Sequence, residues 1–304
     1  MELSITSDYC TCKGSPEKPL RLIAEAGFTH LHWCHHFSDD FLYTSSEITA
    51  AKQLMKEVGL KLLDVHGSTG QEKSWSSLVE YERLAGVELV KNRARLFTEL
   101  GGSGHLIMHI PCIQEHTTED AKAHQRQRHE RLIRSLDELV PWLQAEGIPL
   151  ALENMSDDTW ELLEKTVARY PAPAVGICYD SGHGNFPQPQ LDKLRRNRFR
   201  LTALHLNDND GAHDLHQSPF LGTVDWETLT GILADSSHQG VQTFEITMRD
   251  NPFRAEFLPG TTTSITDLAQ QPSENQLAFL KDAFQRCSRV AAAIAAKRSA
   301  LSSK

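Results

Sequence analysis

The chain alternates between short apolar runs and longer segments whose apolar residues recur every three or four positions. The short runs are typical of buried parallel strands, and the longer segments have the period of amphipathic helices. Eight strands are predicted, at residues 3–6, 30–33, 61–65, 105–109, 149–153, 175–179, 203–206 and 243–246. A helix is predicted after each strand, at residues 20–26, 46–58, 77–100, 125–145, 159–170, 190–197, 226–235 and from 273 onward.

Eight consecutive strand–helix units favour a closed α/β fold, the (β/α)8 TIM barrel, over an open doubly wound sheet. Residues 1–304 are predicted to form one such domain. Residues 248–272 are polar and rich in Pro, Thr and Gln, which predicts a long loop over one end of the barrel. The extended C-terminal helix, at about residues 273–302, has an apolar stripe that either packs on the barrel or forms a homo-oligomer contact.

Composition and charge narrow the classes of function. The chain is 39% apolar, which is ordinary for a globular protein, and its net charge is −9, which opposes binding to a nucleic-acid backbone. No apolar run approaches the roughly 18 residues of a membrane span, and no basic-apolar leader precedes the first strand, so a cytoplasmic protein is expected. The six cysteines are scattered without a C-x-x-C pair and are predicted to be reduced thiols.

The ends of the predicted strands carry residues that can bind a metal. The carboxyl ends of barrel strands converge on one face, where chemistry is normally located. Strands three to eight each offer an imidazole or a carboxylate there, namely His66, His109, Glu153, Asp180, His205 and Glu245. Because buried strand ends usually carry apolar or small residues, this concordance indicates a functional site.

The last four strands supply the set that we predict to bind one divalent cation: Glu153, Asp180, His205 and Glu245. Such a mixture of oxygen and nitrogen donors suits Mn²⁺, Mg²⁺, Co²⁺ or Zn²⁺, and it lacks the thiolates of a soft-metal site. Further ligand types follow strands six and seven, at His183, Asp214 and His216. With His66 and His109 they are candidates for additional metal or substrate contacts, so a second or third ion is an open alternative.

Four segments of the chain resemble one known group of proteins. They are Leu152-Glu153-Asn154, Tyr179-Asp180-Ser-Gly-His183, the run from His205 to Trp226, and Phe244-Glu245. The group consists of the sugar isomerase and epimerase-like proteins with a xylose isomerase-like TIM barrel, and it also includes the endonuclease IV branch. The resemblance covers nearly the whole chain.

The resemblance implies a metal-dependent isomerase or epimerase that acts on a small-molecule sugar. Asp180 and His205 would be pure ligands of the cation. Glu153 and Glu245 would be ligands that also transfer the proton next to a carbonyl, because a polarised carbonyl acidifies the neighbouring C–H bond. His183 would orient a substrate oxygen. Trp33 is a candidate for stacking on the sugar, the alternative being that it packs beneath the rim.

Two other functions remain open at this point. In an endonuclease IV-like multi-zinc phosphodiesterase, the resemblance assigns His66 and His109 to one zinc and His183, Asp214 and His216 to another. The sequence departs from that branch in the loop after strand seven, where Asp214-Leu-His216 follows His205 at a shorter interval. The third possibility is a metal-dependent lyase or dehydratase on a sugar derivative, since the same enolate can eliminate as well as reprotonate.

For Asp225 we expect a helix N-cap, and for His238 a solvated surface position.

Overall fold

Eight parallel strands form a nearly closed barrel in the computed structural model, which confirms the predicted fold. The structure describes residues 1–38, 41–67, 74–111, 119–155, 159–249 and 271–303. The strands are β1 (Leu3–Thr6), β2 (His30–Trp33), β3 (Lys61–His66), β4 (Leu106–His109), β5 (Leu150–Glu153), β6 (Val175–Asp180), β7 (Leu201–His205) and β8 (Gln242–Phe244). They pair in the order β7-β6-β5-β4-β3-β2-β1-β8.

The barrel closes between β7 and β8 through a short run of backbone hydrogen bonds. The Leu206 N–H donates to the Thr243 carbonyl at 2.9 Å, and the Glu245 N–H donates to the Leu206 carbonyl at 3.1 Å. This seam brings Glu245, which follows β8, directly beside His205 at the end of β7. Two of the predicted metal ligands are therefore neighbours because the sheet closes on itself.

A helix follows each strand, with bounds close to the predicted ones. The helices are α1 (Glu17–Ala26), α2 (Ser45–Val58), α3 (Glu80–Glu99), α4 (Glu119–Ala145), α5 (Trp160–Arg169), α6 (Leu191–Asn197), α7 (Trp226–Ala234) and α8 (Ser273–Ser302). The start of α4 lies before the predicted residue 125, and its first turn carries Glu119 and Asp120, which stabilise a helix N-terminus. Thr44 and Glu47 form a capping box that fixes the start of α2.

The C-terminal helix α8 packs on the barrel between α1 and α7. It buries Phe279, Leu280, Ala283, Cys287, Val290 and Ile294. The apolar stripe of α8 therefore packs on the barrel, which was the first of its two predicted alternatives.

Of the predicted loop at residues 248–272, residues 250–270 lie outside the described part of the chain, as does Cys112. The described cysteines are free thiols, and no described helix is long and apolar enough to cross a membrane.

Alternation along the strands divides the barrel interior into layers. Side chains two residues apart on a strand face the same way, so the residues two positions before the ligand-bearing strand ends also face the axis. On β4 to β7 these residues are small or aliphatic, and they form a separate buried cluster of Ile107, Ala151, Cys178 and Ala203. The polar ends of β4 to β7 thus lie on an apolar floor.

Candidate metal centre

The four predicted ligands from the last four strands meet at the carboxyl end of the barrel. One ligand atom from each of Glu153, Asp180, His205 and Glu245 lies within 4.8 Å of the others. The first three residues are completely buried, and the side chain of Glu245 is 12% exposed. A group of two or more buried carboxylates is unstable unless cations or protons balance it, so the arrangement requires positive charge at its centre.

His205 lies between the two glutamates. Its Nδ1 atom is 3.1 Å from Glu153 Oε2 and 3.0 Å from Glu245 Oε2. Neither contact has hydrogen-bond geometry, and among the described residues both carboxylate oxygens of Glu153 and both ring nitrogens of His205 are buried without a hydrogen-bond partner. Buried polar atoms are rarely left in this state. These donor atoms fit a divalent cation, which would satisfy several of them at once.

The charges within this group shift its ionisation strongly. Burial would raise the pKa of the Glu153 carboxyl, but the positive charges of His205 and His109 hold that pKa well below its usual range. Burial opposes protonation of His205, yet the surrounding Cys178, Glu153 and Glu245 hold the pKa of its imidazole well above the ordinary value. The carboxylates are therefore balanced by imidazolium protons, which a cation of suitable charge would replace.

Asp180 is held in position by hydrogen bonds from its neighbours. Its Oδ1 accepts from the His183 N–H at 2.7 Å, and its Oδ2 accepts from Asn207 Nδ2 at 2.8 Å. The side chain of Asn154 bridges β5 and β6 by accepting from the Asp180 N–H at 2.8 Å and donating to the Asp180 carbonyl at 3.0 Å. Burial raises the pKa of the Asp180 carboxyl to about 6. The orientation of this ligand is thus fixed before any metal binds.

A second group of possible metal-binding residues shares Glu153 with the four-residue group. His66, His109 and Glu153 offer donor atoms within 4.8 Å of one another. His109 Nε2 is 3.4 Å and His66 Nε2 is 3.9 Å from Glu153 Oε2. Burial and the positive charge of His109 hold the pKa of His66 well below its ordinary value, so His66 is in the neutral form that binds metals.

A third group lies toward the rim and consists of His183, Asp214 and His216. Asp214 Oδ2 is 3.4 Å from His183 Nε2, and Asp214 Oδ1 is 3.1 Å from His216 Nε2. The charge of Asp214 outweighs burial and raises the pKa of His216 to about 10. The structure therefore brings all nine metal-ligand candidates from the sequence together as three adjoining groups.

The loop after β7 is organised by Asp208. Its carboxylate is completely buried and accepts four hydrogen bonds, from the backbone N–H groups of Asn209, Phe220 and Val224 and from the indole of Trp226. These bonds close the loop that carries Asp214 and His216. Asp225 caps α7 by accepting from the Thr228 N–H at 3.0 Å, as the sequence predicted.

Two sequence-based expectations need revision. Trp33 is completely buried, and its indole donates to the His35 carbonyl at 2.9 Å, which corresponds to the packing alternative and not to a stacking surface for a sugar. The expectation that His238 is solvated is wrong, because it is 8% exposed and lies in a cavity at the amino ends of the strands. It follows α7 where the chain turns inward to start β8, so proximity to a helix end did not imply exposure.

Three further residues at or below the site were missed in the sequence. His32 and Asp64 face the barrel interior next to His205 and are described further below. Asp8 follows β1 and accepts a hydrogen bond from the Thr6 hydroxyl, and burial raises the pKa of its carboxyl. The signal was available, since Asp64 shares a strand face with His66, and Asp8 follows the end of β1 at the same rim.

Comparison with known proteins agrees with this architecture. The xylose isomerase-like TIM barrel family matches residues 20–283, and the chain belongs to that family. It is 31% identical over 252 residues to the uncharacterized protein y4fM of Sinorhizobium fredii (strain NBRC 101917 / NGR234), covering 75% of this chain and 80% of that protein.

Among solved structures, the fold is similar to that of a D-tagatose 3-epimerase-like protein, with a TM-score of 0.67 and 17% identity over 94% of this chain and 99% of the other. It is also similar to D-psicose 3-epimerase from Clostridium cellulolyticum H10, with a TM-score of 0.67 and 16% identity over 95% and 99% of the two chains. At these identities the likeness establishes the fold, and the resemblance noted in the sequence is confirmed at the level of the family.

Proposed function

We propose that the protein is a divalent-metal-dependent isomerase or epimerase that acts on a small sugar by proton abstraction next to a carbonyl. The observation that carries the proposal is the convergence of two carboxylates on one buried point, with Glu153 and Glu245 both about 3 Å from His205 Nδ1. The similar solved structures are named as a D-tagatose 3-epimerase-like protein and a D-psicose 3-epimerase, which supports a sugar as the substrate.

The four-residue group Glu153, Asp180, His205 and Glu245 would hold the cation. Bound there, the cation would polarise a substrate carbonyl and so acidify the neighbouring C–H bond. Glu153 and Glu245 approach from β5 and from the end of β8, and one carboxylate would take the proton while the other returns one. Return from the opposite face gives the epimer, and return to the adjacent carbon gives the isomer.

His183 is the residue proposed to orient a substrate oxygen. Its Nδ1 donates to the Asn154 carbonyl at 2.9 Å, which fixes the ring and directs Nε2 toward Asp214 at the rim. The hydrogen bond from its own N–H to Asp180 couples the ring position to the metal ligands. A substrate that reaches the four-residue group from the rim therefore passes this imidazole.

The test is hydrogen exchange. The purified protein is incubated with Mn²⁺ and a panel of ketoses in D₂O, and products are analysed by NMR; we expect deuterium at the epimerised carbon. Glu245→Gln should abolish the exchange, because the amide cannot take the proton, and Glu274→Gln on the first turn of α8 serves as the matched control. Loss of water with an unsaturated or cleaved product would indicate the lyase or dehydratase instead, and absence of exchange with every ketose would contradict the proposal.

A phosphodiesterase is the second candidate, and the two additional ligand groups are the observation on which it rests. The groups His66–His109–Glu153 and His183–Asp214–His216 could hold two more ions beside the four-residue group. Three ions per chain would suit activation of water for attack on phosphorus. The net charge of −9 opposes a nucleic-acid substrate. Nicking of abasic duplex DNA by zinc-loaded protein, without exchange of any ketose, would favour this candidate.

A further inference from the structure

His32 lies inside the barrel, below the proposed metal ligands and outside all nine candidates from the sequence. It is completely buried on β2. The register between β2 and β3 shifts after Leu31, so His32 pairs with Asp64, and Leu63 is the extra residue. This irregularity lets both polar side chains face the barrel axis at the same height, which a regular register would not do.

Asp64 holds the ring of His32 in one orientation. Its Oδ1 is 2.5 Å from His32 Nδ1, and its Oδ2 accepts from the Thr243 hydroxyl at 3.3 Å. A carboxylate can only accept, so the proton between the two residues belongs to Nδ1, and Nε2 presents its lone pair to a third group. Metal-binding histidines are oriented in this way, with one ring nitrogen bonded to a carboxylate and the other on the metal.

The second ring nitrogen of His32 has no such partner among the described residues. Nε2 is buried and makes no hydrogen bond there. The ring lies edge-on to that of His205, with 4.3 Å between the centroids. One ring nitrogen of His32 lies within 4.8 Å of ligand atoms of both His205 and Glu245. A buried ring nitrogen without a partner destabilises the folded protein, so a partner from outside the chain is expected.

We propose that His32 is a fifth protein ligand of the divalent cation that His205 and Glu245 bind, and that Asp64 is the positioning residue that holds its imidazole. The inference rests on the metal site of the proposed function. It gives the cation a second imidazole ligand, on the side that faces the barrel interior. The side of the cation that faces the rim stays open for the substrate. Metal binding would then explain why the barrel interior contains the buried polar side chains of His32 and Asp64.

Mn²⁺ binding, measured by titration calorimetry, tests the proposal without relying on activity. We expect His32→Gln to weaken Mn²⁺ binding about 10–100-fold, and Asp64→Asn to weaken it by a smaller factor because the ring stays present but is held less well. His30→Gln is the matched control. It is buried two residues earlier on the same strand and bonds to Thr29, and it should retain wild-type affinity.

A structure of the wild-type protein soaked with Mn²⁺ provides the second measurement, in case His32→Gln does not fold. We expect anomalous density about 2.1 Å from His32 Nε2. An ion held by the four-residue group with Nε2 more than about 3 Å away, or equal Mn²⁺ affinity of wild type and a folded His32→Gln, would overturn the role of His32 and leave the proposed function standing. A wild-type protein that binds no divalent cation would instead contradict the proposed function itself.

Discussion

Nε2 of His66 lies 3.0 Å from Nε2 of His109, across the end of β3 and β4. Two imidazole nitrogens at this distance share either one proton or a common cation, because two lone pairs facing each other repel. Glu153 approaches both rings with the same carboxylate oxygen. The three residues thus form a site in which a cation would replace the shared proton.

The first prediction concerns the number of ions. We expect His109→Ala to bind one divalent ion fewer per chain than the wild type, because only the group that contains His66 loses a donor. The four-residue group keeps all its ligands. Elemental analysis after dialysis against a trace of Zn²⁺ measures the difference, with His124→Ala on the exposed face of α4 as control. Equal metal content in wild type and His109→Ala would mean that the two histidines serve another purpose.

A second prediction concerns Glu153, which two of the groups share. Glu153→Gln removes the charge from both, so we expect metal affinity to fall by at least about 100-fold at the four-residue group and the second ion to be lost. Glu99→Gln, an exposed residue at the end of α3, is the control. Calorimetric titration with Mn²⁺ measures the effect. A variant with wild-type affinity would show that the carboxylate does not coordinate the ion.

The four-residue group was predictable because it depends only on strand ends. Each ligand lies at the last position of a short apolar run or directly after it, and a parallel barrel brings all such positions to one face. Glu153 and His205 therefore needed no knowledge of side-chain packing. The same rule predicted that His66 and His109 lie nearby, since their strands are adjacent.

The contact between His32 and Asp64 could not be predicted in this way. Their pairing depends on the register shift between β2 and β3, which no local pattern indicates. Trp33, next along β2, faces the opposite way and is completely buried, so its aromatic character was misleading. Burial of His238 likewise depends on how the chain turns between α7 and β8, which is a tertiary feature.

The third prediction concerns Asp208 in the loop after β7. In Asp208→Asn, one amide nitrogen replaces an oxygen that accepts from the Phe220 N–H and from the Trp226 indole, so donors face donors. We expect the free energy of unfolding to fall by about 3 kcal/mol. The loop should also loosen and weaken zinc binding at the third group, because Asp214 and His216 lie on it.

Urea unfolding and metal analysis of the Asp208 variant provide both readouts. Asp210→Asn is the matched control, because Asp210 lies in the same loop, is exposed, and bonds within its own turn to Ala212 and His213. It should change stability by less than about 1 kcal/mol. If Asp208→Asn were as stable as Asp210→Asn, the four hydrogen bonds to Asp208 would not be what closes the loop.

The last prediction concerns His238, at the end of the barrel opposite the proposed metal ligands. It lines a cavity of about 270 Å³ together with His105 and Asp64, and its carbonyl accepts from Arg298 at 2.8 Å. Burial, with the nearby charges of His105 and Arg298, lowers the pKa of His238 to about 4, against the opposing charge of Asp64. The folded protein therefore keeps this imidazole neutral at pH values where the unfolded chain protonates it.

Stability should fall as the pH falls from about 6.5 toward 4, because the unfolded state binds the additional proton in that window. Between pH 7 and pH 5 the wild type should lose about 2 kcal/mol more than His238→Gln, which has no proton to bind at this position. Urea unfolding at the two pH values measures the difference, and His124→Gln should behave as the wild type does. Equal losses in wild type and His238→Gln would show that His238 is solvated in the folded protein, as its position next to a helix end first suggested.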